Sequence, residues 1–532
     1  MTRLLPAVLC VVTMCATAGV SAKAATATDQ LGTVAFPTSC NAAAKPAILS
    51  GVAFMHSFQY QQSEEAFRQA AKADPRCAIA RWGEAMALYQ QLWNNADPET
   101  LAKGRAYLAT AQKLNSGTAL ERGYIEAALA YFKDDPKLSY AERTRNYSEA
   151  MAKVHAANPN DTDAAAFYAL SLVSLAYKDE KRSDADRKEA LAILLPLLQT
   201  HPDHPGVAHY IIHAADTPAL APQGLEAARR YAKIAPDSSH ALHMPSHIFV
   251  RLGLWQESVD SNLAASAAAA KATEAHQAAP HYQFHAMDYL AYSYAQMGQA
   301  AKADQVLADL KNVPGASAEE IGKRQAYLDA RNALDLRRYK DAAALPVLNV
   351  EMYALVPTYW AKSIGAARTG DAVEAQENLA KLVTALAARD EDDKKNGEEV
   401  KAGKHTEQLE AEAWVAFAEK RVDDAVTSMR AAAERQESEQ FEDVIIPARE
   451  MLGDLFLELN RPDLAVREYA ATLKFAPGRF DSRFGAAVAA NLAGDKGDAR
   501  DYAVHLQHDC GPDADRPEIR QLSLTIDKRW PH

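Results

Sequence analysis

A repeat of 34 residues constrains the fold of this chain more than any other feature of its sequence. The clearest copy spans residues 446–479 and carries small residues, aromatic residues and a proline at fixed positions: Gly453 at position 8, Phe456 at 11, Ala465 at 20, Tyr469 at 24 and Pro477 at 32. Small residues at positions 8 and 20 let two helices approach closely, aromatic residues fill the layer between units, and the proline ends the second helix. The repeat therefore predicts an array of helix pairs.

The same frame fits the start of the chain, where Pro75 at position 32 places Gly51 at position 8 and Phe67 at position 24. These landmarks closely resemble those of the tetratricopeptide repeat (TPR) family. The resemblance implies an all-α, TPR-type α-solenoid, which is a right-handed superhelix of antiparallel helix pairs. A chain of 532 residues is too long for one compact core, and its length suits such an array.

The N-terminus has the pattern of a cleaved secretory signal peptide. Arg3 supplies a positive charge, residues 4–19 are apolar, and small residues precede a cleavage position at Ala24. This apolar run is shorter than the roughly 20 residues of a membrane-spanning helix. We therefore expect a periplasmic or secreted protein with no integral membrane segment after cleavage.

The repeat frame divides the chain into five parts. These are the signal peptide at 1–24, an N-terminal tail at 25–46, N-terminal TPR units at 47–177, histidine-rich central TPR units at 178–312, and C-terminal TPR units at 313–532. The charge-rich stretch 178–187 is predicted to be a surface loop or a solvated helix end.

Three cysteines remain after cleavage: Cys40 in the tail, Cys77 at the start of a helix, and Cys510. Export places them in an oxidising compartment, where disulfides form and persist. Our hypothesis is a disulfide between Cys40 and Cys77 that ties the tail to the first repeat. Cys510 would then be the unpaired thiol.

Histidines are concentrated in the central units, where residues 201–285 contain ten of the 16 in the chain. His209 and His213 are four residues apart, as are His243 and His247, and such pairs share one face of a helix. The offset between the two pairs is 34 residues, one repeat. The pairs therefore occupy equivalent places on neighbouring units.

In the TPR family, positions 2, 5 and 9 of the first helix line the concave groove. By this resemblance seven residues are expected to face one channel: His209, His213, His240, His243, His247, His285 and Asp288. Two imidazoles at i and i+4 form a common half-site for a transition metal such as zinc or copper. Five of these residues are the candidate metal ligands: His209, His213, His243, His247 and His285.

Alternatives remain open at this point. Asp288 could be a ligand or support one from outside, and the histidines could instead be polar packing residues or hold an organic or peptide ligand. His201 and His204 look like cap or turn residues, and His56 like an isolated groove residue. Residues 36–40, 204–209 and 243–249 resemble an exported bacterial branch of TPR proteins with no firmly assigned activity.

The net charge of −12 argues against a nucleic-acid partner. No phosphate-binding loop, GxSxG elbow or HExxH motif is present in the sequence. The leading hypothesis is an exported scaffold that binds a protein or peptide partner in its concave groove. The alternative is metal binding by the groove histidines, and the least favoured is a metal-dependent enzyme with Asp288 or Asp216 as its base.

Overall fold

The computed structural model describes residues 30–527, except 93–95, 178–179, 276–278, 397–399 and 439–445. The predicted signal peptide, residues 1–24, lies outside the described residues. Within them the chain is built from α-helices and two short 3-10 helices, Leu310–Asn312 and Met352–Leu355, and no strand occurs.

The first half of the chain contains thirteen of the described helices, which run in order along the sequence. They are α1 Lys45–His56, α2 Tyr60–Ala73, α3 Ala78–Tyr89, α4 Pro98–Leu114, α5 Ala119–Tyr131, α6 Tyr140–Ala157, α7 Thr162–Ala176, α8 Glu180–Thr200, α9 Pro205–Ala215, α10 Ala221–Ile234, α11 Ser239–His243, α12 Pro245–Leu252 and α13 Trp255–Glu274. Those of the second half are α14 His281–Gln296, α15 Ala300–Asp309, α16 Ala318–Asp335, α17 Tyr339–Ala343, α18 Val356–Thr369, α19 Ala372–Lys395, α20 Thr406–Ala418, α21 Val422–Ser438, α22 Ala448–Glu458, α23 Pro462–Phe475, α24 Phe480–Ala493, α25 Lys496–Cys510 and α26 Pro517–Asp527.

Neighbouring helices pack against each other along the chain, and alternate helices also meet, as α1 with α3, α7 with α9 and α22 with α24. Pairs stacked on pairs in this way make an α-solenoid, in which each unit buries its apolar face against the next. The prediction of an all-α solenoid is confirmed, and the arrangement is TPR-like. The five-part division of the chain stays a prediction.

Glycine and aromatic residues meet between the helices, as the repeat predicts. A Cβ atom on Gly83 would come within 2.2 Å of the Phe67 ring, and one on Gly485 within 2.3 Å of the Tyr469 ring. Gly453, the landmark at position 8, also faces Tyr469, at 2.8 Å. Only a residue without a side chain leaves room for these rings, so the glycines set the distance between helices.

The N-terminal tail is fastened to the first repeats. Cys40 and Cys77 form a disulfide with their Cα atoms 5.1 Å apart. Beside it Phe36 stacks on the fully buried Trp82, with the ring centroids 5.7 Å apart. Cys510 is a free, buried thiol.

The solenoid also curves back onto its own middle. The buried guanidinium of Arg479, just before α24, bonds Asp335 of α16 at 2.7 Å and Glu450 of α22 at 2.8 Å. The Trp255 indole donates to the carbonyl oxygen of Gly478 at 3.1 Å. The bonds from Arg479 to Asp335 and from Trp255 to Gly478 each span more than 100 residues of sequence, and the second joins the C-terminal units to the central ones.

The charge-rich stretch 178–187 is partly surface, as predicted, and partly buried. Helix α8 begins at Glu180, and Arg182 and Asp184 are exposed on it, whereas Asp186 and Arg187 are buried. Arg187 lies over the Tyr177 ring at 4.3 Å and donates to the carbonyl oxygen of His213 at 2.6 Å. Only these last charges of the stretch are covered by the next repeat.

Candidate metal centre

The central histidines lie on four helices whose ends are set by local sequence. Helix α9 begins with Pro205 after the N-cap His204, and proline suits this position because its missing N–H would have no helical partner. Pro245 interrupts the next helix, so α11 ends at His243 and α12 begins at Pro245. The Ser246 hydroxyl donates to the His243 carbonyl oxygen at 2.7 Å, which satisfies a carbonyl beside the break.

Three histidines form a first cluster, which we call triad A: His209 and His213 of α9 with His240 of α11. The Nε2 atom of His209 lies 3.1 Å from Nε2 of His213 and 3.1 Å from Nε2 of His240. His209 and His213 are fully buried, and His240 is half-buried. Three imidazoles thus turn the same nitrogen toward one point.

A second cluster, triad B, repeats this arrangement one unit later: His243 of α11, His247 of α12 and His285 of α14. The Nε2 atoms of His243 and His247 are 3.0 Å apart, and the ring of His285 lies 4.4 Å from that of His243. His243 and His247 are buried, whereas 37% of the His285 side chain is exposed. Each triad therefore has two buried histidines and one at the solvent side.

The spacing of these nitrogens suits a coordinated ion. In a tetrahedral site with metal–nitrogen bonds of about 2.0–2.1 Å, neighbouring ligand nitrogens are about 3.3 Å apart. The ligand atoms within each triad all lie within 4.8 Å of one another.

The Nδ1 atoms of His243 and His247 point away from the centre of triad B, and we call them outer nitrogens. Their hydrogen bonds determine which nitrogen of each ring carries the proton. His243 Nδ1 lies 2.7 Å from Oδ1 of Asn262, whose Nδ2 already donates to the Ser258 carbonyl oxygen at 2.8 Å. His247 Nδ1 lies 2.9 Å from Oδ2 of Asp216. Both partners can only accept, so both Nδ1 atoms carry the proton and, in the neutral rings, both Nε2 atoms are bare.

Asp216 is ionised in this position. Burial alone would raise the pKa of Asp216, but the charge of Arg251 and the hydrogen bonds from His247 and Arg251 bring it below its ordinary value. Arg251 Nε donates to Asp216 Oδ1 at 2.9 Å. A carboxylate that orients a histidine from behind is a typical outer partner of a metal ligand.

In triad A the same logic applies to His209. Its Nδ1 donates to the main-chain carbonyl oxygen of His56 at 2.7 Å, so its Nε2 is bare. One lone pair can accept one good hydrogen bond, yet two further Nε2 atoms face it. The Nε2 atoms of His213 and His240 therefore compete for this one lone pair.

Protonating the rings is unfavourable. Burial lowers the pKa of His209 from 6.5 to about 3. The pKa values of His213, His240 and His243 are also well below 6.5, first because of burial and then because of the neighbouring histidines. The imidazole rings of these four histidines are therefore neutral at neutral pH.

Different aromatic residues cover the two triads. The Phe58 ring stacks on His213 at 5.5 Å and on His240 at 5.6 Å. Phe58 has a φ of 55°, an unusual value for a bulky residue, and it brings the turn between α1 and α2 onto triad A. At triad B, the Tyr289 ring lies 4.8 Å from His243 and 5.0 Å from His247.

A third cluster, His56, Asp163 and His204, is a hydrogen-bonded network. His204 Nδ1 accepts from the Val207 main-chain N–H at 3.2 Å, so its Nε2 carries the proton and donates to Asp163 Oδ1 at 3.3 Å. His56 Nε2 lies 2.7 Å from the same oxygen. Burial alone raises the pKa of Asp163, and these hydrogen bonds bring it below its ordinary value. The Nδ1 lone pair of His204 is thus engaged in a hydrogen bond, which distinguishes this cluster from triads A and B.

The network still serves triad A, because it holds the residue whose carbonyl oxygen orients His209. His56 Nδ1 lies 2.9 Å from the Tyr210 hydroxyl, which holds the other side of the ring. A Cβ on Gly206 would come within 2.2 Å of this Nδ1, so only glycine fits there. Sequence reasoning predicted His204 as a cap, which it is, but missed that His56 meets the central repeats.

The seven residues predicted to share one channel separate into two sites. His240, which the sequence placed in the groove but not among the metal ligands, completes triad A. Asp288 forms an ion pair with Arg324, and its Oδ2 lies 3.9 Å from His285 Nδ1. It belongs to the surroundings of triad B. None of the helices in the described part of the chain combines the length and apolar character needed to cross a membrane.

No protein-family model and no curated protein matches this sequence. Solved structures with some similarity include a monomeric mutant of IFIT1 with Gppp-AAAA, at 13% identity and a TM-score of 0.37, over 86% of this chain and 95% of that chain. The human IFIT1 dimer with m7Gppp-AAAA has 12% identity and a TM-score of 0.36, over 85% and 94%. The TPR domain of P58(IPK) has 12% identity and a TM-score of 0.22, over 85% and 99%. At these scores the similarities have no bearing on the function of this chain.

Proposed function

We propose that this protein binds transition-metal ions at triads A and B, with zinc and copper as the candidate ions. The observation that carries the proposal is the pair His243 and His247. Their Nε2 atoms are 3.0 Å apart, while both Nδ1 atoms donate to oxygen acceptors. Two bare lone pairs at this distance repel each other unless a cation lies between them.

A proton on His243 would charge a buried imidazole, whose pKa is kept well below 6.5 by burial. A metal ion takes up all three lone pairs of a triad at once, and imidazole is a common ligand for zinc and copper. The half-buried His240 and His285 give each site an edge through which an ion can enter.

Sequestration or delivery of the ion fits the site better than catalysis. The two carboxylates named as possible bases are engaged in ion pairs, Asp216 with Arg251 and Asp288 with Arg324. In the described residues around the triads, neither is arranged to take a proton from a substrate. Metal binding in an exported protein, periplasmic or secreted, is the role we propose, in line with the sequence resemblance to an exported TPR branch.

A peptide partner in the central groove is less well supported, although a helical-repeat scaffold is suited to binding proteins in general. Four of the six triad histidines are at most 4% exposed and offer a peptide almost no surface. Aromatic rings cover both triads. Binding of a protein or peptide partner in the concave groove stays a prediction from the sequence.

The test is the metal content of untagged protein, prepared by export to a periplasm and measured by plasma mass spectrometry. We expect zinc or copper in the wild type and none in the variant His209→Ala/His213→Ala/His243→Ala/His247→Ala. The matched control is His505→Ala/His508→Ala, which removes two exposed histidines of α25 and should retain the metal.

Circular dichroism would establish that all three proteins are folded. Apo wild type that takes up no zinc or copper on reconstitution would contradict the proposal. So would a quadruple variant that keeps its metal.

A further inference from the structure

The two triads are joined by one short helix. Helix α11 carries His240 of triad A and His243 of triad B, three residues apart. Side chains with this spacing are neighbours on a helix surface. Ions in the two triads would therefore be close to each other, inside the protein, where salt screens their charges only weakly.

The ligands bring no negative charge to these ions. All six donors are imidazoles, which bind metals in their neutral form. The carboxylates next to triad B are already compensated, because Asp216 bonds Arg251 at 2.9 Å and Asp288 pairs with Arg324. Neither carboxylate therefore offsets the charge of a bound ion.

A guanidinium also stands beside triad A. Arg187 is buried and donates to the carbonyl oxygen of His213 at 2.6 Å, so its positive charge lies directly behind a ligand. The charged groups named around the two triads thus contribute no net negative charge.

We infer that triads A and B are together a site for two monovalent copper(I) ions, and that a divalent ion fills only one of them readily. This inference rests on the proposed metal binding. At equal separation, Coulomb repulsion scales with the product of the charges, so two divalent ions repel each other four times as strongly as two monovalent ones. Two copper(I) ions therefore load with little mutual penalty, whereas the first zinc ion opposes the second.

Zinc(II) and copper(I) make a clean pair of probes. Both have a filled d shell, and comparing the first with the second ion of the same metal cancels their differences in softness and coordination number. Apo wild type would be titrated anaerobically with each ion against a competing chelator, with ascorbate to keep the copper reduced. We expect two copper(I) ions with affinities within about 10-fold of each other, and a second zinc ion at least about 100-fold weaker than the first.

Two zinc ions of equal affinity would overturn the inference and leave metal binding intact, as would a single copper(I) ion per chain. Failure of the apo protein to bind either ion would overturn the proposed function itself. The two failures are therefore distinguishable.

Two variants separate repulsion from a defective site. His240→Ala leaves triad B complete, and His285→Ala leaves triad A complete. Each changes a half-buried residue, and circular dichroism would verify folding. If repulsion weakens the second zinc ion, each variant binds one zinc ion within about 10-fold of the first ion in the wild type. Weak zinc binding by His285→Ala alone would show that triad A is poor by itself and would overturn the inference.

Discussion

Triads A and B take two of their histidines from the same positions of successive repeats, yet their surroundings differ. In triad A, the outer nitrogen of His209 meets a neutral main-chain carbonyl oxygen, provided by His56 from 153 residues away. In triad B, the outer nitrogen of His247 meets the ionised Asp216 of a neighbouring central unit. The repeat places the ligand histidines at equivalent positions, whereas the curvature of the solenoid determines which group accepts the hydrogen bond from each outer nitrogen.

The difference has a chemical consequence. A carboxylate behind a histidine raises the basicity of the ligand nitrogen and fixes the ring more firmly than a neutral acceptor does. Triad B should therefore take up the first divalent ion, with an affinity advantage over triad A that stays within about 10-fold. Triad A, covered by Phe58 and oriented through a chain of buried groups, depends on contacts between distant repeats.

The largest expected effect is the loss of one site without the other. His209→Ala should weaken metal binding at triad A by more than about 100-fold, which exceeds the 10- to 100-fold typical for loss of an outer partner. His243→Ala should do the same at triad B. Copper(I) titration of each variant should give one ion where the wild type gives two. A single substitution that empties both triads would show that they are one site.

The carboxylate in triad B gives the next largest effect. Asp216→Asn removes the charge behind His247 and should lower zinc affinity at triad B by about 10- to 100-fold. Copper(I) affinity at triad A should change little. Asp237→Asn is the control, since it alters an exposed carboxylate of the same repeat without touching a ligand. Equal weakening of both triads would contradict the assignment of Asp216 to triad B.

Acid should destabilise the apo protein through triad A. Burial lowers the pKa of His209 to about 3 in the folded state from 6.5, so the unfolded chain binds more protons between these values. The contribution of neutral His209 to the free energy of unfolding is therefore fully present above pH 6.5 and is lost as the pH falls toward 3. Thermal melts over this range should show a shallower pH dependence for His209→Gln than for wild type. His505→Gln, at an exposed position, should match wild type.

The smallest expected effect is on the rate at which a metal ion enters and leaves triad A. Phe58→Leu shortens the ring that covers triad A and should speed metal exchange there by about 5- to 10-fold, because the apolar shell around a site controls solvent entry. Exchange at triad B, covered by Tyr289, should stay unchanged. Stopped-flow transfer of copper(I) to a chelator would resolve two phases, and only one should accelerate. Acceleration of both would mean that Phe58 supports the whole centre.

Much of the fold was predictable because it is periodic. The landmarks around Gly453 and Tyr469 predicted helix pairs in contact, and the structure has them. The offset of 34 residues placed His209 and His243 at equivalent positions. Local spacing is enough for such statements, since they concern a helix and its immediate neighbour.

The division into two sites could not be predicted in the same way. The frame places His240 and His285 both at position 2 of their units, but it does not show that each joins the histidine pair of the preceding unit. The roles of His56 and Arg187 depend on contacts between distant units. A repeat frame describes one unit and the next, and it contains no information on how tightly the superhelix closes.

The break at Pro245 allows the distance between the rings of one histidine pair to change, but not that of the other pair. His209 and His213 lie on one continuous helix, so the distance between their rings is set by a rigid rod. His243 and His247 lie on either side of the helix break at Pro245, so a small rotation of the backbone there would change the distance between their rings. The same pair of ligands thus occurs twice, once at a separation fixed by a continuous helix and once at a separation that the backbone can adjust.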